Sequence, residues 1–190
     1  MKHFPGISCL LLLTLLSGCA PAVIITSATV AARTAADPRS TGRQIDDGTL
    51  ALRVRHAISN AGLPSQAGVT STVYQGDVLL TGEVPDDTVR QAATKAVSSV
   101  AGVRHIWNET RTGTAISTGQ KISDIWLASD IRTRLLLSSD TRLSDVRVIT
   151  ENSEVFLMGL VTPEEGQRVA DMVSRVSGVG HVTTAWALKQ

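Results

Sequence analysis

Side chains that could carry out chemistry are few and scattered in this sequence. His105 and His181 occupy matching places, each three residues after a glycine, but no thiolate or carboxylate cluster at metal-ligand spacing accompanies either. Glu164 and Glu165 form a pair typical of a helix's first turn, where carboxylates favour the helix dipole. No G-x-S-x-G nucleophile motif occurs. We therefore expect no catalytic residue, no metal site and no cofactor, and we predict that the protein is not an enzyme.

The charge balance excludes another class of function. The 190 residues carry 18 Lys+Arg against 17 Asp+Glu, and only 3% of them are aromatic. Proteins that bind nucleic acid electrostatically need a basic excess, and base stacking needs aromatic side chains. The composition therefore predicts no nucleic-acid partner and a largely aliphatic core.

Cys19 is the residue most open to chemical modification. It follows an N-terminal Lys2 and an apolar run over residues 7–16, which is too short to span a bilayer. The tetrapeptide at residues 16–19, Leu-Ser-Gly-Cys, resembles the bacterial lipobox, whose cysteine receives a lipid. We expect a signal peptide over residues 1–18, lipid attachment at Cys19, and a tether over residues 19–45. The alternative is ordinary secretory cleavage that leaves Cys19 as a free thiol.

The rest of the chain contains one unit twice. Residues 77–82 match residues 154–159 at a shift of 77, and residues 99–106 match residues 175–182 at a shift of 76. Each unit opens with apolar residues at helical spacing, over residues 47–61 in the first copy; the later copy has Leu127, Ile131 and Leu135.

Two strands follow in each copy, predicted over residues 69–74 and 77–83 and again over 146–150 and 154–160, as hairpins. A second helix then ends at Gly102 or Gly178, and a last strand covers residues 103–111 or 179–188.

The order α-β-β-α-β returns the last strand through a helix crossover. It predicts an α+β fold in which each copy has a small mixed sheet with both helices on one face. We place the two domains at residues 46–112 and 124–190, with a linker over residues 113–123.

This repeated unit, with Gly-Asp-Val-Leu-Leu-Thr-Gly at residues 76–82 and Glu-Val-Phe-Leu-Met-Gly at residues 154–159, resembles the BON domain. The lipobox, the tether and two such units are together similar to the dual BON-domain family of outer-membrane lipoproteins, which are associated with division and outer-membrane stress. The resemblance implies a lipoprotein that faces the periplasm, binds anionic phospholipid through its second BON domain and supports envelope integrity.

One helix flank differs between the copies. Trp126, Leu136 and Leu137 lie away from the predicted core side of the second unit's first helix, where the first unit has Thr49, Ser59 and Asn60. Arg132 and Arg134 flank this apolar side, and an amphipathic helix with tryptophan and arginine is typical of a membrane surface. Asp130 reduces the local positive charge.

The resemblance implies that Trp126 contacts phospholipid and that Leu136 and Gly119 belong to the same region. We therefore expect the phospholipid contact to include these residues together with Leu137, Arg132 and Arg134. In the alternative, Trp126 and Leu137 pack against the first unit. An alternative function is a protein-interaction scaffold for outer-membrane assembly or division machinery.

Overall fold

A computed structural model describes residues 40–138 and 146–188 of the chain. These residues fall within one compact unit, residues 38–190. The predicted signal peptide, Cys19 and all but the last residues of the predicted tether lie outside the described residues. None of the described helices combines the length and the apolar character that crossing a membrane requires.

The first repeat runs from α1 to β5 and is built around a mixed three-stranded sheet. Its elements are α1 (Thr41–Ser59), β1 (Thr70–Tyr74), β2 (Asp77–Thr81), β3 (Glu83–Val84), α2 (Asp87–Ser98), β4 (His105–Asn108) and β5 (Arg111–Thr112). The sheet order is β1-β2-β4, with β2 antiparallel to β1 and parallel to β4. Strands β3 and β5 form a short parallel pair.

The second repeat has the same plan with longer strands. It consists of α3 (Thr118–Leu137), β6 (Val146–Glu151), β7 (Glu154–Val161), α4 (Pro163–Ser174) and β8 (His181–Leu188). The sheet order is β6-β7-β8, and the pairing is again antiparallel and then parallel. The predicted α+β fold with tandem α-β-β-α-β units and mixed sheets is confirmed.

Each sheet has a helix-covered face and a face turned to the other sheet. Two apolar cores lie under the helix pairs, around Val54 and Val78 in the first repeat and around Ile131 and Leu157 in the second. A third core lies between the sheets and contains Tyr74, Leu79, Phe156, Met158 and Ala185, with Trp107 packed against it. Both helices of each repeat therefore pack on one face of its sheet, as predicted.

The two opening helices begin earlier than the sequence predicted. The Ser40 hydroxyl accepts from the Arg43 backbone N–H at 3.2 Å, and the Ser117 hydroxyl accepts from that of Gln120 at 3.1 Å. These N-caps start α1 and α3 several residues before the apolar periodicity becomes visible, so the helices extend into the predicted tether and linker. The second helices end at Ser98 and Ser174, while Gly102 and Gly178 supply positive φ angles in the turns that follow.

A buried aspartate fixes the hairpin turn in each repeat. The carboxylate of Asp47 accepts from the backbone N–H groups of Gln75 and Gly76 at 2.8 and 2.9 Å. Asp124 does the same for Asn152 and Ser153, at 2.7 and 2.9 Å. The turn residues have positive φ, which a two-residue hairpin of this kind requires. The repeated aspartates are therefore structural.

Candidate functional site

The outer face of α3 exposes large apolar side chains near both of its ends. Five large side chains on it are exposed, and we call them the apolar stripe: Ile122 (52% exposed), Ile125 (68%), Trp126 (72%), Leu136 (70%) and Leu137 (80%). At about 100° per residue, the stripe lies opposite the buried side chains of Leu127, Ile131 and Leu135. Helix α3 is thus apolar on two sides, and only one of them faces the core.

Small polar residues separate the two ends of the apolar stripe. The hydroxyl of Thr133 donates to the Ser129 carbonyl at 2.9 Å, so it is satisfied within the helix. Gly119 lies in the first turn of α3, where a Cβ would meet only the Ser117 hydroxyl oxygen at 3.8 Å. Asp130, four residues after Trp126, is the charged residue closest to the stripe between its two ends.

The two arginines beside the stripe already have partners. The Arg132 guanidinium donates to the Val148 carbonyl of β6 at 2.6 Å, and its burial, together with nearby Arg147, lowers the pKa of Arg132. Arg134 pairs with Asp130 at 3.0 Å. Both arginines flank the stripe as predicted, but each already has a hydrogen-bonding or ion-pair partner within the second repeat.

The equivalent face of α1 carries fewer large apolar side chains. Thr49, Ser59 and Asn60 stand where the stripe has Trp126, Leu136 and Leu137, and Gly48 stands where it has Ile125. The side-chain amide of Asn60 contacts the His56 ring at 3.1 Å. The first repeat is not wholly polar there, however, since Ile45 and Leu52 are exposed.

Sequence reasoning missed Ile122 and Ile125. Ile122 falls in the predicted linker, because the helix was expected to begin near Asp124, whereas Ile125 is the second residue of the predicted second domain. The signal that could have found them is Ser117, a good N-cap residue one turn before the first lysine of the helix. With the helix extended to Thr118, both isoleucines fall on the same side as Trp126.

The exposure of Trp126 and Leu137 contradicts the alternative that they pack against the first repeat. Contact between the repeats is made instead by the third core, which is centred on Leu79 and Phe156 and has Trp107 at its margin. The third tryptophan, Trp186, packs against the core of the second repeat beside Gly166.

His105 and His181 are exposed at the starts of β4 and β8. His105 lies edge-on to Trp107, with ring centroids 4.6 Å apart. Within the described ranges, no group of three or more histidine, cysteine or carboxylate side chains could hold a metal ion. The two histidines are therefore the first residues of equivalent strands, β4 and β8.

A cleft of about 450 Å³ between the repeats is lined by charged residues that were not identified as site residues from the sequence. Glu83 of the first repeat lines it together with Lys121, Asp124 and Glu151 of the second. Burial raises the pKa of Glu83 and of Glu151, and the negative charge of Asp124 raises both further. Glu83 escaped attention because the second repeat has Leu160 at the same place.

Comparison with known proteins places these observations in a family. The BON domain family matches residues 46–114 and 123–188. The chain is 40% identical, over 88% of its length and 86% of the relative's, to an outer membrane lipoprotein, DolP, of Haemophilus influenzae. It is 39% identical, over 77% of its length and 76% of the relative's, to a 21 kDa hemolysin of Actinobacillus pleuropneumoniae.

Among solved structures, the chain is similar to CdsD, a structural protein of the type III secretion system of Chlamydia trachomatis. The likeness covers 74% of this chain and 92% of that one, at 12% identity and a TM-score of 0.32, which is too low to add to the assignment. The two matched segments contain the α-β-β-α-β repeats described above. The chain therefore belongs to the BON domain family and carries two copies of the domain.

Proposed function

We propose that this protein is a lipoprotein held in the outer membrane through Cys19, facing the periplasm, whose second repeat binds anionic phospholipid through the apolar stripe. We further propose that this contact supports envelope integrity at the division site. The name of the Haemophilus influenzae relative supports the outer-membrane location. The leader and the lipobox-like tetrapeptide that ends at Cys19 support the proposed lipid attachment.

The exposure of the apolar stripe is the observation that carries the proposal. Five of the eight exposed large apolar side chains in the described part of the chain, each more than half exposed, lie along one face of this single helix. Contiguous exposed apolar surface is uncommon on soluble proteins and marks binding sites for membranes, proteins or ligands. Fully burying one such side chain contributes about 1.5–3 kcal/mol, so a helix lying flat in a bilayer surface gains several times that amount.

The charges around the stripe favour an anionic surface modestly. Helix α3 carries three basic residues near the stripe, Lys121, Arg132 and Arg134. The exposed carboxylate of Asp130 on the same helix offsets one of these charges. Each basic residue near an anionic membrane contributes about 1 kcal/mol, and the Asp130 pair offsets part of this contribution. We therefore expect apolar insertion to supply most of the affinity and charge to supply the preference for anionic headgroups.

The test is flotation of the anchor-free compact unit, residues 38–190, with vesicles of graded headgroup composition. Trp126→Glu should weaken binding to anionic vesicles by on the order of 2 kcal/mol, or about 30-fold, because the indole is lost and a charge must be buried. Its thermal midpoint should stay close to that of the wild type, because Trp126 is exposed.

The matched control is Thr49→Glu, the same charge at the equivalent position of the first repeat, which should leave vesicle binding intact. Equal binding by wild type and Trp126→Glu contradicts the proposal. Crosslinking through position 126 to one protein, independent of lipid, would support the scaffold function instead.

A further inference from the structure

The first repeat has an open groove between α1 and β1. Its volume is about 780 Å³, and Val69 together with β1 residues from Thr70 to Val73 forms one side. The α1 wall is low because Gly48 and Ala51 face the groove, and Arg147 of β6 closes the far side. The groove therefore runs along a whole strand.

Strand β1 offers unpaired backbone groups to this groove. It is an edge strand, paired on one side only with β2. The two-residue hairpin makes Tyr74 and Asp77 the closing hydrogen-bonded pair, so the N–H and C=O groups of Ser71 and Val73 point away from β2. The Ser71 hydroxyl is also buried and has no hydrogen-bond partner within the described ranges. The groove thus exposes a short row of backbone donors and acceptors.

The second repeat has an equivalent but smaller groove, the cleft of about 450 Å³ between α3 and β6. At the equivalent of Ser71, the Val148 carbonyl accepts from Arg132 at 2.6 Å, and Ala115 and Ile116 of the linker line the cleft there. Ile125 replaces Gly48. In the first repeat the equivalent arginine, Arg55, instead donates to the Ala51 carbonyl of its own helix at 3.4 Å. The groove of the first repeat is therefore the larger of the two, and its arginine bonds to α1 instead of to the strand edge.

The described lining of the open groove also carries a net positive charge, with two arginines against one aspartate. Arg55 and Arg147 line it from opposite sides. The carboxylate on its wall, Asp47, already accepts the two N–H groups of the hairpin turn. A ligand with negative side chains would meet both arginines while its backbone pairs with β1.

We propose that the β1 edge is a docking site for an extended, acidic segment of a protein partner, which adds as a fourth strand to the sheet of the first repeat. Main-chain hydrogen bonds to Ser71 and Val73 supply affinity, and Arg55 and Arg147 supply the preference for acidic side chains. Five residues of β1 span about 17 Å, so a segment of five or six residues fills the groove.

The test measures fluorescence anisotropy of labelled hexapeptides with the full chain in nanodiscs of phosphatidylcholine. A peptide that alternates valine and glutamate should bind at least ~10-fold more tightly than one that alternates valine and lysine. The double variant Arg55→Glu, Arg147→Glu should abolish or reverse this preference, whereas Arg168→Glu, an exposed arginine of α4, should not.

Ser71→Pro tests strand addition itself. It removes an outward N–H from an edge strand, a position where proline is tolerated, so both peptides should lose binding in a protein that still melts cooperatively. If Ser71→Pro fails to fold, the arginine double variant decides. Equal affinity for the two peptides, or binding that appears only when anionic lipid is added, overturns the proposal.

Discussion

The two repeats share one fold and differ in what they leave uncovered. Asp47 and Asp124 fix the same turn, and matching apolar positions fill the two helix-side cores. The first repeat has the larger groove beside its edge strand, while in the second repeat an arginine bonds to the equivalent strand edge and α3 exposes the apolar stripe. Because equivalent positions answer the same folding demands, the differences between the copies mark the surfaces available for binding.

The largest effect should come from breaking the joint between the repeats. Phe156 is 2% exposed in the core between the two sheets. Phe156→Ala should lower the free energy of unfolding by about 4 kcal/mol, because it removes a large buried side chain and leaves a cavity. Urea unfolding measures this loss, and Phe156→Leu should recover most of it. A cost below that of the exposed Leu52→Ala would show that the sheets do not depend on each other.

The shared turn device should be costly to remove in either copy. Asp124→Ala leaves the N–H groups of Asn152 and Ser153 without their carboxylate and should cost about 3 kcal/mol. Asp47→Ala should cost a similar amount. Asp130→Ala, an exposed aspartate on the same helix, is the control and should cost less than about 1 kcal/mol. If Asp124→Ala and Asp130→Ala lowered the free energy of unfolding equally, the repeated aspartate would have no special structural role.

Glu83, at whose position the second repeat has Leu160, should make stability depend on pH. Burial is the largest cause of its raised pKa, so the folded protein favours the protonated carboxyl more than the unfolded chain does. The destabilisation is full at neutral pH, declines as pH falls through the raised pKa, and vanishes below the ordinary value of 4.5.

Glu83→Gln should therefore raise the thermal midpoint at pH 7 and lose this advantage near pH 4. The exposed Glu164→Gln should show no such trend. A benefit of Glu83→Gln that is constant over this pH range would contradict the assigned cause.

The smallest effect should come from the ion pair that joins the repeats. Arg111 contacts Glu154 through two hydrogen bonds of 2.5 and 3.1 Å, but about half of its side chain is exposed. Arg111→Ala should cost roughly 0.5–1 kcal/mol, and less at high salt. Urea unfolding at two ionic strengths checks both expectations. The Arg111 guanidinium carbon also lies 6.0 Å from the centroid of the Phe156 ring, so a cost that is independent of salt would point to loss of this contact instead.

Periodicity and repetition predicted most of the fold from the sequence. The two hairpins and the placement of Glu164 and Glu165 in the first turn of α4 follow from local patterns, and the structure confirms them. The predicted last strand of the first repeat, residues 103–111, is instead divided into β4 and β5. The starts of α1 and α3 were missed because their first turns come before the first apolar residues at helical spacing and are capped by serine side chains. The exposure of Trp126 was predicted from the contrast with Thr49.

The groove and the charged cleft could not be predicted, since both are made by residues distant in sequence. Arg147 reaches the groove of the other repeat, and Glu83 meets Glu151 only because the two sheets pack face to face. The partner of Arg132, a backbone carbonyl on an edge strand, likewise carries no sequence signal.

Insertion of the stripe into lipid is tested most directly by the fluorescence of Trp126 in a chain that carries Trp107→Phe and Trp186→Phe. With anionic vesicles that contain brominated phospholipid, we expect a blue shift and quenching by bromines placed near the headgroup end of the acyl chains. Emission that stays red and unquenched while the protein remains bound to the vesicles would show that the indole stays in water, and would contradict the proposed membrane contact.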